Sequence, residues 1–197
     1  MMFDWSARQD LHTSAGHCAS YAYDAATDTE TFRLVGRNSN RAENRLINEY
    51  EQGARQFEGY VTIHGPLDDL SLMQIWGSAE GATQLMLRGY ADDGGTLAVN
   101  CGSALRVKLL TGAFGREIKV NIVHLQENVG NRIRVYLDAR LVGDFPADEK
   151  AVNNFNANYH KYGVYGKIAD RQADAVVSWR RVRHFRDAGG VRADKAT

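Results

Sequence analysis

Two prolines and two cysteines leave this chain little to staple or stiffen it. So little cysteine excludes a disulfide-dense scaffold, and the fold must rest on a buried apolar core. Cys18 and Cys101 are the whole complement, and spacing alone leaves open one bridge or two separate thiols. No apolar run reaches the roughly 18 residues that a membrane-spanning helix requires. An excess of either charge is missing too, since 24 Lys and Arg balance 24 Asp and Glu. That balance removes the overall field that draws a protein to nucleic acid or to a membrane surface, so an anionic ligand must be met by a local cluster. Zinc-ligand spacing, a phosphate-binding glycine loop and a dinucleotide fingerprint are all missing, and no organic cofactor is expected. The opening MMFDWSARQD lacks the basic-then-apolar pattern of a secretory leader. A secreted or periplasmic protein would then have lost its leader, and the cytosol is the alternative.

Glycine and aromatic residues are plentiful, with 19 Gly, nine Tyr and seven Phe, a balance that favours sheet over helix bundle. Short runs alternate apolar and polar residues with period two, at Phe57 to Ile63, Gln84 to Tyr90, Glu117 to Leu125, Arg132 to Leu137 and Ala175 to Val182. In the third run Ile118, Val120 and Ile122 face one way and Lys119 and Asn121 the other, the pattern of a half-buried strand. Turn residues punctuate the runs at Gly36 to Asn40, Asp92 to Gly95 and Asn128 to Asn131. Helical period is not sustained, although Asp148 to Asn156 has room for a short helix. The expected fold is all-β, a two-sheet antiparallel sandwich, with one domain over residues 1–186 and a polar tail over 187–197.

Three segments carry chemically capable residues at spacing i, i+2, i+4, which puts each set on one face of its strand. Arg41, Glu43 and Arg45 form the first set, Gln74 and Trp76 the second, and Tyr159, Lys161, Gly163 and Tyr165 the third. A solvated strand face explains a polar stripe in general. It does not explain Tyr, Trp, Gln and an alternating Arg-Glu-Arg together, which are the groups that an acidic-sugar cleft requires.

The motifs R-x-E-x-R at Arg41 to Arg45, Q-I-x at Gln74 to Trp76, and Y-x-K-x-G-x-Y at Tyr159 to Tyr165 resemble the three signature strands of polysaccharide lyase family 7, the alginate lyases. Order and spacing agree from Arg41 to Tyr165, and the third motif is the most specific. The resemblance implies a β-jelly-roll of the concanavalin A-like kind with a cleft across its concave sheet. The chain departs from the family at one position: where the alginate lyases have histidine two residues after the glutamine, this chain has Trp76. The broader layout of a glutamine with tyrosines is shared with the glucuronan lyases.

β-Elimination from a uronate removes the proton at C5, beside a carboxylate, and protonates the oxygen leaving C4. Carbanion character at C5 puts new negative charge next to the carboxylate, so that group must be neutralised. Arg41 or Arg45 with Gln74 suits this task through charge-assisted and amide hydrogen bonds. Tyr165 is the candidate acid, and with histidine missing at position 76 also the candidate base. A phenol titrates at about 10 in water, and Lys161 with the arginines is expected to stabilise its phenolate. Glu43, flanked by two arginines, is expected to stay ionised and to orient its neighbours. Trp76 offers a stacking surface for a sugar or a plug for the cleft floor. Tyr159 and Arg55 are further candidate substrate contacts. Among the histidines, His64 and His17 are candidates to reach the cleft, His124 ends the Ile118-Val120-Ile122 face, and His160 points away from Tyr165. Each is more often a surface or capped residue than a catalyst.

The expected partner is an anionic polysaccharide, met by a monomer. A non-catalytic glycan-binding module is the main rival, since a fold does not settle a function. A glycoside hydrolase requires paired carboxylates, for which Asp28 with Glu30 and Glu49 with Glu51 are weak candidates. Asp92-Asp93 and Asp68-Asp69 are candidate contributors to a structural calcium site, although acidic turns are common.

Overall fold

A computed structural model describes residues 2–3, 8–13, 19–35, 41–47, 50, 53–65, 67–77, 83–101, 104–126, 131–147, 158–168 and 174–186. Nearly all of this is strand: β1 Met2–Phe3, β2 Arg8–Thr13, β3 Ala19–Asp24, β4 Thr29–Val35, β5 Arg41–Ile47, β6 Gly53–Ile63, β7 Leu70–Trp76, β8 Thr83–Tyr90, β9 Thr96–Cys101, β10 Ala104–Leu110, β11 Glu117–Gln126, β12 Arg132–Leu137, β13 Arg140–Pro146, β14 Tyr159–Tyr165 and β15 Asp174–Arg186. A single 3₁₀ turn, Asp92–Gly94, joins β8 to β9. The candidate helix at Asp148 to Asn156, the turn at Gly36 to Asn40, Cys18, His17 and the tail over 187–197 lie outside the described residues.

The strands form two antiparallel sheets. One runs β13-β12-β11-β6-β15-β4-β3, with β1 also paired to β15, and the other runs β10-β9-β8-β7-β14-β5-β2. Chain neighbours often sit in different sheets, so the chain crosses the sandwich repeatedly, and the architecture is the expected all-β jelly roll. Period-two alternation decides what faces inward. Ile118, Val120 and Ile122 are fully buried, as are Phe57, Val61, Leu85, Leu87, Val99, Val164 and Val177. Trp179 lies at the centre, its ring 5.3 Å from Phe57 and 6.1 Å from Tyr162. Burying side chains of this size contributes on the order of 2 to 3 kcal/mol each, enough to set the register of every strand that carries one. Cys101 is a free buried thiol, and burial pushes its pKa up to about 11.

Candidate active site on the seven-stranded sheet

The three motif strands are adjacent in one sheet. β14 lies between β5 and β7, with Lys161 opposite Arg45 on one side and Gln74 on the other. Directly opposed residues share a face, so Arg45, Lys161 and Gln74 form one row across the sheet. A second row holds Arg41, Tyr165 and Ser71. The partners of this face, His160, Tyr162 and Val164, point into the core and are fully buried. His160 thus turns away from Tyr165 as alternation predicts.

Gly163 sits between the rows, opposite Glu43, with φ of 137°. A Cβ there would lie 2.3 Å from the Ala42 carbonyl oxygen and 2.8 Å from Glu43 Cα. Backbone this close, at a φ that L residues rarely adopt, explains why the third motif needs glycine. With no side chain on β14 at this point, Gln74 Nε2 donates to Glu43 Oε1 across it at 2.5 Å.

Cations on this face pair with aromatic rings. The Arg41 guanidinium lies 4.8 Å from the centroid of Tyr165, and that of Arg45 lies 4.0 Å from Tyr159. Lys161 Nζ is 5.1 Å from the Trp76 ring and 5.7 Å from Tyr159. The carboxylate of Glu43 sits among them, 3.8 Å from Arg41. Tyr165, Trp76, Tyr159, Arg41 and Arg45 are half-buried, while Glu43, Gln74 and Lys161 are nearly enclosed.

Two expectations shift in detail. Glu43 was expected to be held ionised by its arginines, but burial outweighs Lys161, Arg41 and the Gln74 hydrogen bond and pushes its pKa up. Burial likewise pushes Lys161 down, against the pull of Glu43 and with the help of Arg41 and Arg45. Lys161 also faces Gln74 and Trp76, four residues from Tyr165 along β14, so the cation stacked on the phenol is Arg41.

Two candidate contacts are not brought to this face. Arg55 is on β6 of the other sheet, over the Tyr50 ring at 4.8 Å. His64 follows β6, where its Nε2 lies 2.7 Å from Ser178 Oγ on β15. Arg55 is in phase with Phe57 and directly opposite the enclosed His124, so it turns inward, whereas His64 is exposed on the outer side, and neither belongs to the sheet that carries Gln74 and Tyr165.

Sequence reasoning missed two buried polar clusters. His124, His160 and His184 are enclosed rather than surface residues, with the Tyr50 hydroxyl 2.7 Å from His124 Nδ1 and 3.3 Å from His160 Nε2, and His160 Nδ1 3.1 Å from His184 Nδ1. Glu30 is buried on β4, accepting hydrogen bonds from Tyr162 (2.6 Å), Tyr21 (3.0 Å) and Asn44. The signal for each was an in-phase position, His124 after Ile122 and Glu30 before Phe32 and Leu34. The acidic turns have basic partners: Asp92 with Arg106 and Lys108, Asp93 with Lys108, and Asp69 with Arg88.

No protein-family model matches the chain. A curated relative, a citrate-binding protein of Hevea brasiliensis, is 26% identical over 162 residues, which is 79% of this chain and 60% of the relative, so the chain spans less than two thirds of that protein. Among solved structures, an alginate lyase of polysaccharide lyase family 7 superposes with a TM-score of 0.62 at 16% identity, covering 89% of this chain and 84% of that one. An endo-β-1,4-glucuronan lyase from the fungus Trichoderma reesei superposes with a TM-score of 0.62 at 12% identity, over 88% of this chain and 89% of that one. At such identities the likeness establishes a shared jelly-roll fold.

Proposed function

We propose that this protein is a polysaccharide lyase that cleaves a uronate-containing glycan by β-elimination. The observation that carries this is the convergence of Arg41, Arg45, Gln74, Lys161 and a half-buried Tyr165 on one face of three adjacent strands. In this reading the substrate carboxylate is met by Arg45, Lys161 and the Gln74 amide, whose donors stabilise charge as it develops at C5. Glu43 orients Gln74 by taking one of its amide hydrogens, and Arg41 holds the Tyr165 ring. Tyr165 removes the C5 proton, the electron pair left behind forms the C4–C5 double bond, and the C4–O4 bond breaks. The leaving oxygen takes up a proton from the same phenol, a syn course that requires no base at position 76. Trp76 then serves as a stacking surface beside Lys161. Because the fold is shared with alginate and glucuronan lyases, the substrate class proposed is glucuronan, mannuronate-rich alginate or a related glucuronate polymer.

Incubation with alginate, polymannuronate, polyguluronate, glucuronan and mixed glucuronate glycans, followed by ultraviolet absorbance of the unsaturated uronate end, tests the proposal. Rising absorbance on one polymer identifies the substrate, and flat traces on all of them reject the lyase.

A second reading draws on the citrate-binding relative. The same three cations would hold a carboxylate-rich ligand without cleaving it, with Trp76 closing the place of a proton-transfer group. Flat absorbance together with heat of binding for citrate or for intact polymer would favour this alternative.

A further inference from the structure

We propose that the far edge of the same sheet holds a remote sugar subsite built by Tyr90, Asn100, Leu105 and Arg106, an inference that rests on the proposed acidic glycan lying across this sheet. The row of Arg45, Lys161 and Gln74 does not stop at β7. Gln74 is opposite Met86 on β8, and Met86 is opposite Asn100 on β9, so Asn100 continues the row on the same face. Two inter-strand spacings separate Asn100 from Gln74, about 10 Å, which is farther than one sugar ring spans. There the surface opens into a depression of about 500 Å³ lined by Asp68, Asp69, Tyr90, Asn100, Leu105 and Arg106.

Its geometry comes from a break in the ladder. Register between β9 and β10 shifts between Ala104 and Val107, and Arg106 takes φ of 50°. A bulge of this kind re-aims side chains. It leaves Leu105 72% exposed and lays the Arg106 guanidinium over the Tyr90 ring at 4.3 Å. The Arg106 backbone N–H donates to Asn100 Oδ1 at 2.7 Å, which fixes the carboxamide with its amino end as the remaining donor. Arg106 also reaches Asp92 at 3.2 Å yet keeps 52% of its side chain exposed. Across the depression, Asp68 takes the Ala91 N–H at 3.1 Å and Asp69 takes Arg88 at 2.8 Å, so both carboxylates are held in place with oxygens to spare.

An apolar side chain in water, a guanidinium, an amide donor and two fixed carboxylates are complementary to one pyranose of an acidic glycan. Its C–H face covers Leu105, its carboxylate meets Arg106, and its hydroxyls donate to Asp68 and Asp69. A chain long enough to span both places gains affinity that a short one lacks.

The test measures affinity and turnover of the whole protein on oligouronates from the dimer to the hexamer, for wild type, Arg106→Gln and Leu105→Ser. Wild type is expected to gain about tenfold in affinity and in kcat/KM between the shortest and longest oligomers, the effect of roughly one well-formed contact cluster. Both variants should lose that gain and keep the wild-type values on the shortest oligomer. Affinity that does not change with length, or a gain that survives both substitutions, overturns the subsite. Length-dependent affinity with no unsaturated product at any length rejects the lyase reading and leaves the subsite standing. Absence of binding at every length rejects both.

Discussion

The two outward faces of the sandwich use the same charged residues in different ways. On the eight-stranded sheet, acids and bases sit side by side: Arg180 with Glu117 at 2.6 Å, Lys119 with Glu58 at 3.0 Å, Arg132 with Asp144 at 2.7 Å, and Arg33 with Asp174. Such exposed pairs cancel locally and contribute little. On the seven-stranded sheet, Arg41, Arg45 and Lys161 lie over Tyr165, Tyr159 and Trp76, and the carboxylate among them is enclosed. An aromatic ring attracts a cation without cancelling its charge, as a carboxylate would. Ring stacking occurs on both faces, since Arg180 and Lys119 lie 4.8 and 5.9 Å from the Tyr60 ring, so what separates them is the enclosed carboxylate of Glu43 with Gln74 and Lys161 beside it.

The sharpest way to break this comparison is Tyr165→Phe. It keeps the ring under Arg41 and removes only the hydroxyl, so turnover should fall by 10²- to 10⁴-fold, the range for loss of a proton-transfer group. Polymer affinity, measured by calorimetry, should stay within about twofold of wild type, since the cations are untouched. Retained turnover would remove Tyr165 from the chemistry. Gln74→Leu comes next. It deletes the amide proposed to meet developing charge and should cost about 10²- to 10³-fold in kcat. An effect confined to KM would mean that Gln74 binds the ground state and the transition state equally.

The sheets and the three motif faces were legible because period-two alternation fixes which side of a strand is wet. Arg45, Lys161 and Gln74 were readable as members of separate strands, and the resemblance suggested their union, but only the β5-β14-β7 order puts them in one row. Arg55 and His64 were misplaced for the same reason. Alternation gives the face of a strand and not the sheet it joins, and β6 pairs with β11 and β15 across the core. His124 and Glu30 were readable in principle, each in phase with buried neighbours. They were discounted as polar, although a buried polar group is tolerated once it is hydrogen-bonded.

The histidine cluster gives the two layers a shared sensitivity to acid, a smaller effect than either catalytic substitution. Burial pushes His124 down to about 4, and burial with neighbouring His184, His124 and Arg55 holds His160 well below the ordinary imidazole value. Folded histidines stay neutral while unfolded ones take up protons near 6.5, so stability should be flat above that pH and fall below it. The slope is about 1.4 kcal/mol per pH unit for each such histidine. Glu30 and Glu43, whose pKa values are raised, act in the opposite sense and offset part of the loss as the pH approaches and passes below the ordinary carboxylate range. Urea midpoints at pH 7.5, 6.5 and 5.5 should show the bend, and His124→Gln should make it shallower. A slope unaffected by that substitution would assign the acid response to other groups.

The smallest expected effect belongs to the paired face. Glu117→Gln removes the carboxylate that holds the Arg180 guanidinium through two hydrogen bonds, of 2.6 and 2.8 Å. Glu117 is exposed and Arg180 half-buried, so water and salt reach the pair and screen it, and stability should change by less than about 1 kcal/mol. Arg180 also lies over Tyr60 at 4.8 Å, a contact that remains when the acid is gone. The substitution thus converts one salt-bridged cation of the eight-stranded sheet into a ring-stacked one of the kind found on the other face. Turnover should be unchanged, because the core separates this cation from Gln74 and Tyr165. If polymer affinity nevertheless rises, a cation over an aromatic ring is sufficient by itself to recruit an anionic glycan, and the seven-stranded sheet owes its role to Gln74 and Tyr165 rather than to its charge.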